Sequence, residues 1–548
     1  MLFAEDMDHQ IPELARIDRQ GGWRFFMQHS ELDAANALMG LEAQIESLSS
    51  KLALARAFVL AKHGRVGDAR AIVDHIDRQC SAGDIRDDGI TRDLVLVDTH
   101  VRIYEDRPLT SETGEKLSGV LDQLPPRDLI GQALALNLMC ITSLHTGNFD
   151  KAQEQAEGAI RLYRQQGGEF GSLHLLTHLG QIKLMRGDLE GAEAQYKDLE
   201  RRLALLKEDT NGLMAVCYAL RSEVAYEANA LSRADEYLLN SMSSIEDDDA
   251  WLDVRAAAYR VRIRLAYLRN GLPGALTELA HCERAAMHRD MPRLFRLMQV
   301  ERIRVLTLSD EIDMALTTMR SIGLSPENAD WSRGGDWALR HGSIAVAIAR
   351  WLVRSRRCLD ALTFAEPVED FAIRGGQLLP LAKMRVIKAA AHWRLNQRGD
   401  ATRSLLSALR LLGRQPFSRF ILDEGAEMLS IVRAALDGDH VGVPPTPELR
   451  RRLSELSHAW TMETGRVQVP MPTGANGGQA SDEFRQKYIE LLALGLSNKE
   501  IGRTMGVTVN TVKYHLKAIF RELRVDSRTR AIAEARRLRI IHDDHTKE

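Results

Sequence analysis

A short polar turn ending in alanine recurs through this 548-residue chain at a nearly constant interval. The turns read GRVGDA ending at Ala69, GNFDKA at Ala152, GDLEGA at Ala192, ALSRA at Ala234 and GLPGA at Ala275. Degenerate versions follow, DEIDMA at Ala315, RRCLDA at Ala361 and QRGDA at Ala401. Successive alanines lie 83, 40, 42, 41, 40, 46 and 40 residues apart, and the first gap is two periods with a degenerate unit near Glu105 to Thr110. A period near forty is long for one helix and right for a helix pair. Gly or a polar residue caps the first helix of each pair, and the alanine lets the second pack closely against it. Such pairs cannot bury their apolar faces alone, so they stack into a solenoid. Chance recurrence in an alanine-rich chain is the competing explanation, and eight near-equal spacings argue against it.

Composition agrees with an all-α chain. Apolar residues make up 45% and aromatics only 5%, with Ala, Leu and Arg abundant, a balance that favours helix over strand. The five cysteines (Cys80, Cys140, Cys217, Cys282, Cys358) lie far apart and read as isolated core thiols in a reducing compartment. The start MLFAEDMDHQ lacks the basic and apolar stretches of a signal peptide. Arg350 breaks the best apolar run, Ser343 to Val353, so no bilayer span is expected. These features predict a soluble cytoplasmic protein with no cofactor and no metal site.

The strongest boundary is the Gly- and Pro-rich text GRVQVPMPTGANGGQA. It predicts a helical-repeat domain over 1–463, a flexible linker over 464–480, a second domain over 481–542 and a tail over 543–548. A lesser break is GDHVGVPPTP, Gly438 to Pro447. Between Ser481 and Ile541, thirteen Lys and Arg stand against seven Asp and Glu, so a net charge of −3 conceals a basic end on an acidic body. That asymmetry suits a polyanion-binding module attached to something that does not bind polyanions.

The basic end reads as a helix-turn-helix. Ser481, with Asp482 and Glu483, opens a helix that runs to about Leu494 and stops at Gly495. Ser497-Asn498-Lys499-Glu500 has the form of a capping box for a second helix ending at Met505. Gly506 permits the turn, and Thr508 caps a third helix whose Val512, Leu516, Ile519 and Leu523 form one buried stripe. Asn510, Lys513, Tyr514 and Lys517 then lie on the far side, where a recognition helix meets the major groove. Lys513 and Lys517 suit guanine acceptors or phosphates, and Tyr514 suits a thymine methyl or a phosphate. Asn510 and Thr511 occupy the first turn, which favours phosphate, and Lys499 and Arg503 can clamp the flanking backbone. Each lysine alone could be a solvated surface charge; the joint pattern is what specifies DNA. His515, beside the stripe, reads as structural. A fourth helix starts from about Arg528, capped by Ser527.

From Gly495 to Ala535 this text resembles the LuxR-type DNA-binding domain. The resemblance implies a four-helix domain in which the fourth helix, through Ser527, Arg528, Ala531 and Ala535, pairs two copies on an inverted repeat. One departure stands out: the family usually opens Leu-Thr-Pro-Arg-Glu, and the aligned text here is SDEFR, with Arg485 at the glutamate position. The repeats resemble tetratricopeptide units. Their order before a LuxR-type domain is similar to the C-terminal portion of MalT-like regulators. GGWRFF (Gly21 to Phe26) and the text from Ser49 to Ala69 resemble the start of that region. Full-length members carry an ATP-binding module upstream, but no G-x-x-x-x-G-K-[ST] loop is present, so a short form or a fragment without ATP hydrolysis is expected.

The function expected is a DNA-binding transcription regulator, probing double-stranded DNA as a homodimer. Its solenoid would sense a small-molecule, peptide or protein ligand, and RNA polymerase is a further candidate partner. The alternative is a protein-interaction adaptor with an accessory basic domain. No HExxH, GxSxG or clustered Cys/His motif supports an enzyme. Trp251, Trp331, Trp337, Trp351 and Trp393 could anchor a ligand, although packing between helices is the commoner use of such residues. The acidic run Glu246 to Asp249 reads as a solvated loop.

Overall fold

The computed structural model describes residues 12–28, 32–41, 48–206, 211–247, 250–327, 343–438 and 444–466. It also describes 489, 491–493, 496–498, 500–501, 516, 520, 525 and 527–537. Packing divides the chain into Met1–Ser457 and His458–Glu548.

The first unit opens with short helices Arg24–Gln28 and Leu32–Met39. Helix pairs then follow one another: α1 (Ser50–Lys62) with α2 (Val66–Ala82), α3 (Asp88–Tyr104) with α4 (Ser111–Gln123), and α5 (Leu129–His145) with α6 (Phe149–Gln165). Next come α7 (Glu169–Met185) with α8 (Leu189–Leu203), α9 (Asn211–Glu227) with α10 (Leu231–Leu239), and the two arms of α11 (Leu252–His288). The array continues with α12 (Pro292–Leu308) and α13 (Ile312–Ser321), α14 (Ser343–Arg354) and α15 (Cys358–Arg374), and α16 (Leu378–Arg394) and α17 (Arg398–Leu412). It ends in α18 (Arg419–Leu422), α19 (Ala426–Asp437) and α20 (Pro447–Arg466). Among the described residues there is no strand.

The recurring alanine has a fixed place. It is the fourth residue of the second helix in α2, α6, α8, α10, α13, α15 and α17, and Ala275 is its equivalent in the second arm of α11. All eight alanines are at most 2% exposed. The degenerate unit is now located: the fourth residue of α4 is Gly114, where a Cβ would meet Thr142 in ordinary contact at 3.6 Å. The turn before the alanine is equally regular. Five residues upstream stands a left-handed residue, φ between 59° and 81°, at Gly64, Gly147, Gly187, Asn229, Asp310, Arg356 and Asn396. Gly, Asn and Asp tolerate that conformation best, and their recurrence is what made the turns visible in the sequence. In α11 the break falls at Gly271 (φ 60°, ψ −155°), and Pro273 then starts the second arm, where a missing N–H costs nothing.

Burial separates the two helices of a pair. First helices are enclosed: in α5, buried residues run almost without interruption from Ile130 to His145. Second helices bury one stripe, as in α6, where Phe149, Ala152, Ala156, Ala159, Ile160 and Tyr163 face inward. First helices therefore form the inner layer. That layer meets itself across long stretches of sequence. Tyr226 of α9 donates its hydroxyl to Asp423 (2.9 Å), and the Ser418 amide donates to the Glu227 carbonyl (3.0 Å). Asp106 accepts from the Arg293 and Leu294 amides (2.7 and 3.1 Å), capping α12 from the turn between α3 and α4. Such caps supply partners for amides that a helix start leaves unpaired.

One reading is corrected. The acidic run is no solvated loop at its start: Glu246 lies in the helix Met242–Asp247, pairs with Arg262 and His281 (both 2.9 Å), and its carbonyl accepts from Arg289. Arg262 and His281 recruit the carboxylate, and Arg289 holds the backbone. The break at Gly438–Pro447 is followed by more of the same unit. Leu449, Leu453 and Leu456 of α20 are buried, and Arg452 donates to the Phe417 carbonyl at 2.8 Å. The four cysteines from Cys140 onward are buried free thiols, and Cys80 is half-buried.

Candidate nucleic-acid interface

In the second unit, Ile489, Leu491, Leu492, Ile501, Leu516, Ala531 and Ala535 form one apolar cluster. Leu516 belongs to the stripe expected on the third helix and is 5% exposed. Phe520 and Val525 pack against the cluster as well, and the reading of the stripe had missed both. The Val525 amide donates to the Phe520 carbonyl (2.9 Å).

The capping box forms as spaced. The Glu500 amide donates to Ser497 Oγ (3.4 Å), and the Ser497 amide donates to Glu500 Oε2 (2.7 Å). Two amides that the helix start would leave unpaired are thereby satisfied. The Ile501 amide then donates to the Ser497 carbonyl (2.9 Å), starting the helix and directing Ile501, 0% exposed, into the cluster.

Helix α21 (Arg528–Arg537) starts as expected, with Ser527 accepting from the Arg530 amide (3.4 Å). Two of the four residues expected on it for pairing two copies face inward. Ala531 and Ala535 are 0% exposed inside the unit's own cluster. The Arg528 guanidinium donates to the carbonyls of Leu492 (3.3 Å) and Leu496, the end of the helix carrying Leu491. A cation on terminal carbonyls stabilises a helix C-terminus. All four residues thus serve the fold, and the exposed face of α21 is Arg530, Ala533, Arg536 and Arg537. A short i, i+4 alanine pair reads the same from sequence whether it faces a core or a partner.

The residues expected to touch DNA, Lys499, Arg503, Asn510, Thr511, Lys513, Tyr514 and Lys517, lie outside the described residues, as do Arg485 and, of the linker expected over 464–480, residues 467–480; its first three residues belong instead to the helix α20. Of the tryptophans, Trp331 and Trp337 also lie outside them. Trp251 and Trp351 are buried at 6% and 5% exposure, and Trp351 donates its indole N–H to the Ile312 carbonyl (3.0 Å). Trp393 carries the Arg398 guanidinium 3.5 Å from its ring centre.

The family comparisons fall on both units. The family described as MalT-like TPR region matches residues 114–437, more than half of the chain. The chain belongs to the MalT-like TPR family. The family of bacterial regulatory proteins, luxR family, matches residues 486–535. The HTH-type transcriptional regulator MalT of Yersinia pestis (strain Pestoides F) is 20% identical over 536 residues, covering 95% of this chain and 57% of that protein. The MalT of Yersinia enterocolitica serotype O:8 / biotype 1B (strain NCTC 13174 / 8081) matches to the same extent, 20% over 536 residues. The chain thus spans little more than half the length of these curated relatives. Among solved structures, a Rap protein complexed with competence and sporulation factor superposes with a TM-score of 0.50 at 12% identity, covering 68% of this chain and 100% of that one. That likeness concerns the fold alone. The α1–α2 pair lies before the matched range yet carries the same turn and alanine, Gly64 and Ala69, so the repeat register extends further toward the N-terminus.

Proposed function

We propose that this chain is a DNA-binding transcription regulator whose helical-repeat unit receives a signal and whose C-terminal unit reads the major groove. The observation that carries the reading is the joining of a MalT-like TPR region to a luxR-family domain in one chain. The closed capping box and the burial of Leu516 support the third helix as the recognition element. The enclosed first helices and the acidic character of the body suit signal reception better than nucleic-acid contact.

One luxR-type domain offers a small contact area, so tight specific binding calls for two half-sites and a dimer. The exposed arginines of α21 are where two copies would meet or where DNA phosphate would be held. Footprinting of the purified chain on DNA upstream of its own and neighbouring genes tests the reading. The expected result is a protected inverted repeat, abolished in Lys513→Ala/Lys517→Ala, with binding that weakens steeply as salt rises. Protection unchanged in the double variant would overturn the assignment of the recognition residues. Absence of DNA binding by both the full chain and residues 481–548 at low salt would favour an interaction adaptor instead.

A further inference from the structure

The left-handed turn residues of the first five repeats have a second property in common. Each touches a residue 187 to 228 positions later in the chain, where the array has coiled back beside itself. Arg289 Nη1 lies 3.6 Å from where a Cβ on Gly64 would stand. Asp106 accepts from the Arg293 and Leu294 amides. The Gly147 carbonyl lies 3.3 Å from where a Cβ on Gly375 would stand. Gly187 faces Leu378 and Leu412, and Asn229 Oδ1 accepts from Arg419 Nη1 (2.8 Å). These five successive turns form one seam between two coils of the array. Asp106, Gly147 and Gly187 in its middle are buried, whereas the later turn residues Asp310, Arg356 and Asn396 are exposed. Both sets hold the same place in the repeat, so the seam, and not the turn, produces the burial.

The contacts across the seam are mostly polar. The Glu190 amide donates to Gln415 Oε1 (2.9 Å), and the Ser418 amide donates to the Glu227 carbonyl (3.0 Å). Lys383 Nζ donates to Glu227 Oε1 (2.6 Å), and the Tyr226 hydroxyl donates to Asp423 (2.9 Å). Neighbouring pairs within a coil are joined differently. There α11 and α12 share Leu252, Tyr259, Leu279, Leu294 and Met298 in one apolar core. Water can replace a hydrogen bond and solvate both members of an ion pair, but it cannot replace buried apolar contact. The seam is therefore the junction that rehydrates most cheaply.

We propose that this seam is a clasp. It opens as one unit while the stacked pairs stay folded, and its opening uncovers Glu227, Lys383 and Asp423 of the inner layer. The clasp does not depend on what the C-terminal unit binds.

Hydrogen exchange of the full chain, resolved by residue with fragmentation mass spectrometry, tests it. The amides of Glu190, Arg293, Leu294 and Ser418 make bonds that cross the seam, so they report its opening. Corrected for intrinsic rates, the four should share one opening constant and exchange at least about a hundredfold faster than amides inside α5. Gln415→Ala removes the acceptor of one amide and should speed all four by about three- to tenfold. A disulfide in Gly187→Cys/Leu378→Cys should slow all four by at least about tenfold, with the reduced form as its control. The two Cβ atoms would stand 3.4 Å apart, near the span of about 3.5–4.5 Å that a disulfide bridges. Gln415→Ala alters only a side chain at the edge, so a test remains if the cysteine pair does not fold. Seam amides as slow as those of α5 would show that the coils part only on unfolding. A Gln415→Ala effect confined to Glu190 would reduce the clasp to separate contacts. Either result overturns the proposal.

Discussion

Gly180 of α7 faces the ring of Tyr196 from α8 so closely that a Cβ would overlap it. Tyr196 is 1% exposed and has nowhere to move. On the other side of the same helix pairing, a Cβ on Gly171 of α7 would lie 2.8 Å from the ring of Tyr163 in the preceding helix α6. Replacing a helical glycine by alanine ordinarily stabilises a helix by about 0.5–1 kcal/mol. At Gly180 the overlap should outweigh that gain, since overpacking costs about 1–3 kcal/mol. Gly119 of α4 has no atom near its would-be Cβ and supplies the control. Gly180→Ala should lower the urea midpoint and Gly119→Ala should raise it; shifts of the same sign would show that the glycine is no socket for the ring. Nothing in the local text LGQIKL distinguishes the two glycines, because the socket is defined by a residue of the neighbouring helix.

At the scale of elements, the cap on α12 joins two repeats that the sequence treats as strangers. Asp106 sits at φ 58° and accepts from the amides of Arg293 and Leu294. Asparagine tolerates the left-handed backbone and keeps an accepting oxygen, whereas alanine does neither well. Asp106→Asn should therefore remain near the parent in thermal midpoint. Asp106→Ala should lose about 1–2 kcal/mol, the usual cost of a lost cap. Equal midpoints for the two variants would remove the cap from the argument. The repeat itself was legible because its signals are local: a left-handed turn residue and a packing alanine five positions later. The Ser497–Glu500 box was legible for the same reason. Asp106, the Glu246 pairs and the inward alanines of α21 were not, since each depends on a surface brought in from elsewhere in the chain. The enclosed first helices also hid their periodicity, because a helix buried on most sides has no polar face to mark its phase.

For the molecule as a whole, the buried inner layer predicts sensitivity to acid in two stages. His178, 3% exposed beside Trp251, has its pKa pushed down to about 4 by burial, against the pull of Asp253. His100, 8% exposed and stacked on Phe58 at 3.9 Å, is pushed down to about 3 by burial and by the nearby Lys62 charge. In the unfolded chain both titrate near 6.5. Above that value neither state carries the protons, and this stabilisation is fully present. Below it the unfolded chain binds protons that the fold refuses, and each histidine lowers stability by about 1.4 kcal/mol per pH unit until its folded pKa is reached. The carboxylates act later. Burial alone would raise Glu301, but Arg264 and its neighbours hold it at about 2, and Arg419 and Arg304 do the same for Asp423. Their contribution is present above the ordinary carboxylate range near 4 and is lost as pH falls from there through 2. His178→Gln separates the stages. Urea unfolding at pH 7.5, 6.0 and 5.0 should give a shallower loss in the variant, by about 1.4 kcal/mol per pH unit below 6.5. Parallel profiles for parent and variant across that window would mean that His178 is charged in the folded array and takes no part in the first stage.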